Sequence, residues 1–160
     1  MIVRQMEETD LEAVSAVCIA SFTRSVADSL SEQGITTFTK IAASEAFSER
    51  MNGDNVMLVA DNNGEVQGVV ELKEGRHVAM LFICPDQQKK GIGKILLAAA
   101  LKHARAATVT VSASLPSVPA YKKYGFKCSG DIGESAGLVY QPMEIELNKS
   151  MQPTATASAD

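Results

Sequence analysis

A short polar segment near the middle of the chain has residue types that could bind an anion. Residues 81–85 read LFICP, and residues 86–94 read DQQKKGIGK before an apolar helical pattern begins. The first N–H groups of a helix have no partner within the helix, so a diphosphate can accept hydrogen bonds from them. Gly91 and Gly93 lack the Cβ atoms that would hold an anion away from the main chain. Three lysines add positive charge: Lys89, Lys90 and Lys94. The segment therefore predicts a phosphate-binding turn; the alternative is an ordinary turn with solvated lysines.

This turn does not match two common nucleotide-binding motifs. A P-loop requires Ser or Thr after the lysine, but Ile95 follows Lys94. A dinucleotide fingerprint requires a third small residue where Leu96 stands. Neither class of nucleotide site is indicated.

Two separate segments carry recognisable motifs. The first is the Gln88-x-x-Gly91-x-Gly93 spacing directly after a strand. The second is residues 114–126, SLPSVPAYKKYGF, which end in Tyr-x-x-x-Gly-Phe. In this order, the two motifs resemble those of the GNAT superfamily of acyl-CoA-dependent N-acyltransferases. The order of elements also fits over roughly residues 1–147. Ser114 departs from the pattern, because many members have an asparagine there that contacts pantetheine, and a serine reaches less far.

The resemblance implies that acetyl-CoA is the co-substrate and that its pantetheine lies between two splayed central strands. Backbone groups of Leu81 and Ile83 would bind the pantetheine as an added strand would. The residues implied to bind the cofactor are Leu81, Phe82, Ile83, Gln88, Lys89, Lys90, Gly91, Ile92, Gly93, Lys94 and Ser114.

The implied reaction is direct attack of an amine on the thioester in a ternary complex. A primary amine with a pKa near 10.4 must first lose a proton, at a cost of roughly 4.6 kcal/mol at neutral pH. His77 is the first candidate base, since an imidazole pKa near 6.5 suits this task, and Glu71 or a water chain is the reserve. His77 is alternatively a plain polar residue at a strand entrance.

The resemblance implies that Tyr121 is the tyrosine whose hydroxyl can protonate or hydrogen-bond the departing thiolate. The alternative is a ring that only packs on the core, which is the role expected for Tyr124.

Apolar patterning predicts the elements that position these residues. A capping box at Thr9 and Glu12 would begin the first helix. The predicted strands are 2–5, 56–60, 66–72, 77–84, 108–114, 125–129 and 138–147, and the predicted helices are 10–23, 35–52, 90–106 and 116–123. The expected class is therefore α/β (α+β). The resemblance implies a GNAT-like fold with a mixed, mostly antiparallel sheet of six to seven strands, a central splayed parallel pair and about four helices.

Composition limits the other function classes. The chain has 160 residues, 46% of them apolar, and a net charge of −4, which disfavours a broad surface for nucleic acid. We expect one domain over residues 1–147 and a disordered tail over 148–160. No signal peptide or membrane span is evident, so a cytoplasmic location is expected. The cysteines form no CxxC pair, so no metal site is indicated and buried thiols are expected: Cys18, Cys84 and Cys128.

The sequence thus predicts an acetyl-CoA-dependent N-acetyltransferase that acts on a small-molecule or protein amine. A non-catalytic acyl-CoA sensor and a generic phosphate-binding α/β domain are the alternatives. The resemblance implies that residues 25–37 and 131–141 shape the acceptor site. Acidic side chains there would favour a cationic amine unless they are plain solvated surface: Asp28, Glu32, Asp131 and Glu134. A C2 homodimer is a reasonable expectation for a small enzyme.

Overall fold

The computed structural model describes residues 1–147, and the predicted tail at 148–160 lies outside the described residues. The strands are β1 (Ile2–Gln5), β2 (Asn55–Asn62), β3 (Glu65–Lys73), β4 (His77–Ile83), β5 (Thr108–Ser114), β6 (Lys127–Cys128), β7 (Gly133–Ser135) and β8 (Leu138–Glu146). The α-helices are α1 (Leu11–Ser25), α2 (Glu32–Ile41), α3 (Ser44–Met51), α4 (Ile92–Leu101) and α5 (Val118–Lys123).

The strands form a single sheet in the order β1-β2-β3-β4-β5-β8-β6, with β7 paired to β8 beside this path. Each pair is antiparallel except β4 with β5. The predicted mixed, mostly antiparallel sheet with a central parallel pair is therefore confirmed. The short strand β7 was not predicted from the sequence.

The hairpin between β2 and β3 is confirmed. Asn63 and Gly64 both have positive φ angles, 55° and 92°, which a tight two-residue hairpin turn requires. The Asp61 carboxylate accepts a hydrogen bond of 2.7 Å from the N–H of Gly64 and closes the turn.

The predicted helix over 35–52 is wrong in one respect, because it is two helices. The backbone becomes extended at Ala43, with φ −66° and ψ 149°, and α3 starts at the next residue. The break turns α3 back toward the end of α2, where the Arg50 guanidinium donates a 2.9 Å hydrogen bond to the carbonyl of Ile41. This side-chain contact satisfies a carbonyl that the helix end leaves without a partner.

The predicted capping box at Thr9 and Glu12 is also wrong. The carboxylate of Asp10 instead accepts a 2.8 Å hydrogen bond from the N–H of Glu7, and Arg4 on β1 binds the same carboxylate at 2.8 and 2.9 Å. Arg4 lowers the pKa of Asp10 and so keeps it charged. A side chain from the neighbouring strand therefore organises the entry to α1.

The helix predicted over 90–106 is shorter than expected and ends at Leu101. Beyond it, the backbone N–H of Arg105 donates a 2.8 Å hydrogen bond to the carbonyl of Gly75. This contact fastens the chain to the turn before β4 and directs it into β5. The strand predicted over 125–129 is likewise reduced to the two residues of β6.

Two apolar cores lie on opposite faces of the sheet. The first core contains residues from α4, α5, β5 and β8, and the second contains residues from α1, α2 and α3. Strand β4 supplies both, because Val78 faces the first core and Met80 faces the second. No helix within residues 1–147 combines the length and apolar character that a membrane span needs.

Helix α2 packs directly on the turn between β7 and β8. The hydroxyl of Thr37 donates a 2.7 Å hydrogen bond to the carbonyl of Ala136. Gly34 lies so close to Gly137 that a Cβ atom on either glycine would overlap the backbone of the other. The two segments expected to shape the acceptor site, 25–37 and 131–141, are therefore in contact.

This close approach predicts a stability effect at Gly34. Replacing Gly34 with Ala should lower the free energy of unfolding by about 1–3 kcal/mol, because the added methyl group must displace the β7–β8 turn. Urea denaturation measures the change. Gly53→Ala is the matched control, since its Cβ would lie 3.4 Å from its nearest neighbour in ordinary contact. Equal losses of stability in the Gly34→Ala and Gly53→Ala variants would contradict the expected overlap with the backbone of Gly137.

Candidate active site

The most distinctive feature of the sheet is a gap between its two central strands. Pairing of β4 with β5 is confined to His77 with Thr110 and Val78 with Val111. Directly afterwards, Ala79 forms a β-bulge, because Leu72 pairs with Val78 and the preceding residue of β3 pairs with Met80. Bulges bend and twist a strand. Residues 79–83 of β4 and 112–114 of β5 therefore border a cleft that opens toward the carboxyl ends of both strands.

Backbone groups of two residues in β4 are directed into this cleft. The N–H of Cys84 donates a 2.8 Å hydrogen bond to Gln67 in the segment paired on the other side. Alternate residues of an antiparallel strand direct their backbone groups to opposite edges, so Leu81 and Ile83 direct theirs toward the cleft. The side chains of Leu81 and Ile83 pack on the first core, whereas Phe82 packs on the second.

The polar turn after β4 leads into α4 as the sequence predicts. Lys89 and Gly91 have positive φ angles of 66° and 86°, and Gly91 is the residue before the helix. The first helical hydrogen bond runs over 3.1 Å from the N–H of Ile95 to the carbonyl of Gly91. The N–H groups of the three residues 92–94 therefore have no acceptor within α4.

The charge around this turn is positive. No acidic residue lies in the first turn of α4. The three lysines named above, Lys89, Lys90 and Lys94, are exposed. Amide groups and lysines together form an arrangement that can bind an anion.

Gly93 is needed for a reason that the sequence does not reveal. A Cβ atom at this position would lie 2.7 Å from the hydroxyl oxygen of Tyr124. Gly93 is buried, and a side chain there would have to displace the Tyr124 hydroxyl, whereas Gly91 has a positive φ angle that favours glycine. Sequence reasoning assigned Tyr124 only to the core, and no local signal predicts its contact with the turn.

Tyr121 lies on the same side of the sheet as the turn. Its ring is buried in the first core together with Ile92, and it makes edge contacts with Tyr124 and Phe126 at centroid distances of 5.9 and 5.3 Å. Burial raises the pKa of Tyr121 above its usual value, so the phenol stays protonated at neutral pH. The hydroxyl has no hydrogen-bond partner within residues 1–147, yet it is not fully enclosed. It can therefore act as a proton donor to a group that enters the site.

His77 lies at the closed end of the cleft, two residues before the bulge. Because Val78 faces the first core, His77 faces the opposite side of the sheet from Tyr121. Its Nδ1 atom lies 2.8 Å from the hydroxyl of Thr110, whose own nearest acceptor is the carbonyl of Arg76 at 3.5 Å. If the hydroxyl donates to that carbonyl, Nδ1 carries the proton and Nε2 is the basic nitrogen. Burial and the charges of Arg76 and Lys73 lower the pKa of His77.

Glu71, the reserve base, is enclosed by protein. Its side chain is 1% exposed, and the Arg50 Nε atom binds both carboxylate oxygens at 3.0 and 3.2 Å. Burial raises the pKa of Glu71 although Arg50 opposes this. A raised pKa suits a base, but this carboxylate has no open route to a substrate. Within residues 1–147, no group of His, Cys, Asp and Glu side chains is arranged to hold a metal ion.

Two of the residues predicted to bind the cofactor use their side chains within the protein. Gln88 Nε2 donates hydrogen bonds to the hydroxyl of Ser21 and the carbonyl of Ile83, at 3.2 and 3.1 Å. The Ser114 hydroxyl lies 2.9 Å from that of Ser117, which donates back to the carbonyl of Ser114. The NH₂ group of Gln88 and the hydroxyl hydrogen of Ser114 are therefore both used within the protein in this arrangement.

The expectation of three buried thiols is correct only for Cys18. Burial raises the pKa of Cys18 to about 12. Cys84 is half-buried, and Cys128 is exposed on the short strand β6. The residue pattern around Cys128 does not indicate a strand of only two residues. In this short strand the thiol of Cys128 is exposed to solvent.

Comparisons with known proteins assign this arrangement to a family. The model described as "Acetyltransferase (GNAT) domain" matches residues 26–147. The chain is 26% identical over 125 residues, 78% of its length and 80% of the relative's, to the uncharacterized N-acetyltransferase YafP of Escherichia coli (strain K12). It is 43% identical over 60 residues to the peptidyl-lysine N-acetyltransferase YjaB of Salmonella typhimurium (strain LT2), a match that spans 37% of this chain and 41% of the relative.

Solved structures have the same fold. A GCN5-related N-acetyltransferase from Rhodopseudomonas palustris superposes with a TM-score of 0.81 at 25% identity, covering 91% of this chain and 95% of that one. The PaiA N-acetyltransferase of Thermoplasma acidophilum, in complex with coenzyme A, superposes with a TM-score of 0.75 at 24% identity, covering 91% and 98%.

The contact between Gly93 and Tyr124 predicts a rescue. Gly93→Ala should lower the free energy of unfolding by about 1 kcal/mol, because the new methyl group meets the hydroxyl at the end of the Tyr124 side chain, which must shift. Adding Tyr124→Phe removes that oxygen and should recover most of the loss. Chemical denaturation of the single and double variants measures both effects. A double variant as unstable as Gly93→Ala alone would contradict the packing explanation.

Proposed function

This chain belongs to the GNAT acetyltransferase family, and from that premise we propose how its residues bind acetyl-CoA and move the protons of the reaction. It is an N-acetyltransferase with acetyl-CoA as co-substrate. The single observation that carries the proposal is the cleft between β4 and β5, with the positive turn and Tyr121 on one side of the sheet and His77 on the other.

The turn after β4 holds the diphosphate of coenzyme A, and the cleft holds the pantetheine. Free N–H groups at the start of α4 and the exposed lysines support the diphosphate position. The backbone edges of Leu81 and Ile83 support the pantetheine position, because an extended amide chain can pair with them as a strand does. Ile83 offers only its N–H fully, since its carbonyl already accepts from Gln88.

Proton transfers take place on opposite faces of the sheet. The acceptor ammonium first gives a proton to Nε2 of His77, which passes it to solvent, and the neutral amine nitrogen then attacks the thioester carbon. As the carbon–sulfur bond breaks, the nitrogen loses its second proton to solvent, and the thiolate takes a proton from the hydroxyl of Tyr121, which solvent replaces. A lowered pKa keeps His77 neutral at pH 7, and a raised pKa keeps Tyr121 protonated. Each group is thus in the protonation state that its step requires.

The acceptor amine enters on the α1–α2 side, next to the contact between α2 and the β7–β8 turn. A lysine side chain is the first acceptor to test, because the relative YjaB is a peptidyl-lysine N-acetyltransferase. A lysine-containing peptide, spermidine and 2-phenylethylamine form a suitable panel, with release of free thiol from acetyl-CoA as the readout. An acyl-CoA sensor, the alternative, would bind acetyl-CoA without releasing thiol to any amine.

Cytoplasmic location and a homodimer remain part of this proposal. The absence of a helix within residues 1–147 that could span a membrane is compatible with that location. Fractionation of cells tests the location, and sedimentation velocity of the purified chain tests the dimer.

Replacing Tyr121 tests the proposed acid. Tyr121→Phe keeps the ring in the first core but removes the proton donor, so kcat should fall about 10²-fold or more while the KM for acetyl-CoA stays within about twofold. The thiol-release assay measures both constants. Tyr124→Phe, which removes a hydroxyl from the same segment, is the matched control and should keep kcat. Equal kcat values in the two variants would remove Tyr121 from the mechanism.

The lowered pKa of His77 predicts the pH dependence. The base acts in its neutral form, so the His77-dependent part of kcat should be retained below pH 6.5 and lost only as the pH falls through the lowered pKa. His77→Gln should remove this acidic limb and lower kcat at pH 7 about 10²-fold. A pH–rate profile of both proteins, at saturating acetyl-CoA, measures the limb. An unchanged profile in His77→Gln would assign the proton to a water chain.

A further inference from the structure

The side chain of Gln88 binds groups of helix α1 and strand β4. Its Nε2 group has two hydrogens, and both have acceptors: the hydroxyl of Ser21 at 3.2 Å and the carbonyl of Ile83 at 3.1 Å. Because a carbonyl can only accept, the amide must present its NH₂ group on this side. Gln88 therefore joins three elements: the turn, the end of β4 and helix α1.

Ser21 is the residue of α1 that accepts this hydrogen bond. It is 5% exposed, and Gln88 is its side-chain partner within residues 1–147. A second link between α1 and the turn is the ion pair of Arg24 with Asp86, but its atoms are 3.8 Å apart and both side chains are mostly exposed. Exposed pairs of this kind contribute little. Of these two polar links between α1 and the turn, the hydrogen bond between Gln88 and Ser21 is therefore the stronger.

The same end of α1 is packed against the acceptor side of the cleft. Phe22, the residue after Ser21, stacks on Phe38 of α2 with a centroid distance of 3.9 Å and an interplanar angle of 4°. Phe38 in turn makes an edge contact, with ring centroids 5.2 Å apart, with Phe82 in the part of β4 that does not pair with β5. A continuous path of contacts therefore runs from the turn through α1 and α2 to the face where the amine enters.

We propose that Gln88 is a positioning residue that couples the coenzyme A turn to the acceptor wall through Ser21. Binding of coenzyme A fixes the turn, the Gln88–Ser21 hydrogen bond fixes the end of α1, and the Phe22–Phe38–Phe82 contacts fix the acceptor face. By linkage, a bound amine strengthens coenzyme A binding by the same factor. This inference rests on the proposed function, since it takes the turn as the diphosphate site.

Amide hydrogen exchange with coenzyme A as the probe tests the path without an acceptor. In the wild-type protein, coenzyme A should slow exchange about fivefold or more both at the start of α4 and at the C-terminal end of α1. In Ser21→Ala, which removes only the hydroxyl, protection of α4 should remain and protection of α1 should be lost. Thr39→Ala is the matched control, because its hydroxyl bonds the Ile35 carbonyl within α2 and does not contact the turn.

Kinetics provides the second readout. Ser21→Ala should raise the KM for the amine that the panel identifies about fivefold, with kcat and the Kd of coenzyme A within about twofold of wild type. A purely structural role would instead change both substrates alike. Protection of α1 that persists in Ser21→Ala, or an unchanged amine KM, would overturn the coupling alone. Absence of protection at the start of α4 in the wild-type protein would instead overturn the proposed diphosphate site.

Discussion

The hydrogen bonds between β4 and β5 end after Val78 and Val111, and the rest of the site depends on this separation. Paired strands satisfy each other's backbone groups, so two strands that part must leave theirs to water or to a ligand. The bulge at Ala79 lies directly after the last pair, and β4 stays paired to β3 on its other side. An extended ligand can thus enter the middle of the sheet without disrupting the fold.

The two cores hold the parted strands from opposite faces and give each face a different chemistry. Helices α4 and α5 bring a positive turn and a buried tyrosine to one face. Helices α1, α2 and α3 bring an aromatic contact path to the other. The ion pair of Arg50 and Glu71 lies on this second side of the sheet. Because Glu71 is buried, the pair stabilises the fold rather than exchanging protons with a substrate. The proposed acid, Tyr121, and the proposed base, His77, thereby lie on opposite faces of the sheet.

Tertiary contacts determine several features of the fold and the site that local sequence patterns do not predict. The split between α2 and α3 depends on Arg50 reaching the end of α2, and the entry to α1 depends on Arg4 binding Asp10. A Cβ atom at Gly93 would contact the hydroxyl of Tyr124, which is 31 positions later. The amide of Gln88 donates a hydrogen bond to Ser21 in helix α1. The partners of Gly93 and Gln88 are 31 and 67 positions away, and those of Arg4 and Arg50 are six and nine positions away but outside any helical or capping pattern, so periodicity and capping rules could not find them.

The sequence by itself determined the elements whose cause is local: the Asn63-Gly64 turn, the alternation of β5, and the strand–glycine–helix segment that resembles the family. These follow from backbone conformation and residue period, which neighbouring residues fix. The roles of His77 and Tyr121 stay predictions. Only the tertiary structure decided on which face of the sheet each lies, which hydroxyl orients the imidazole, and how far the cleft extends, because strand register and the packing of two cores bring together residues that are far apart in the chain.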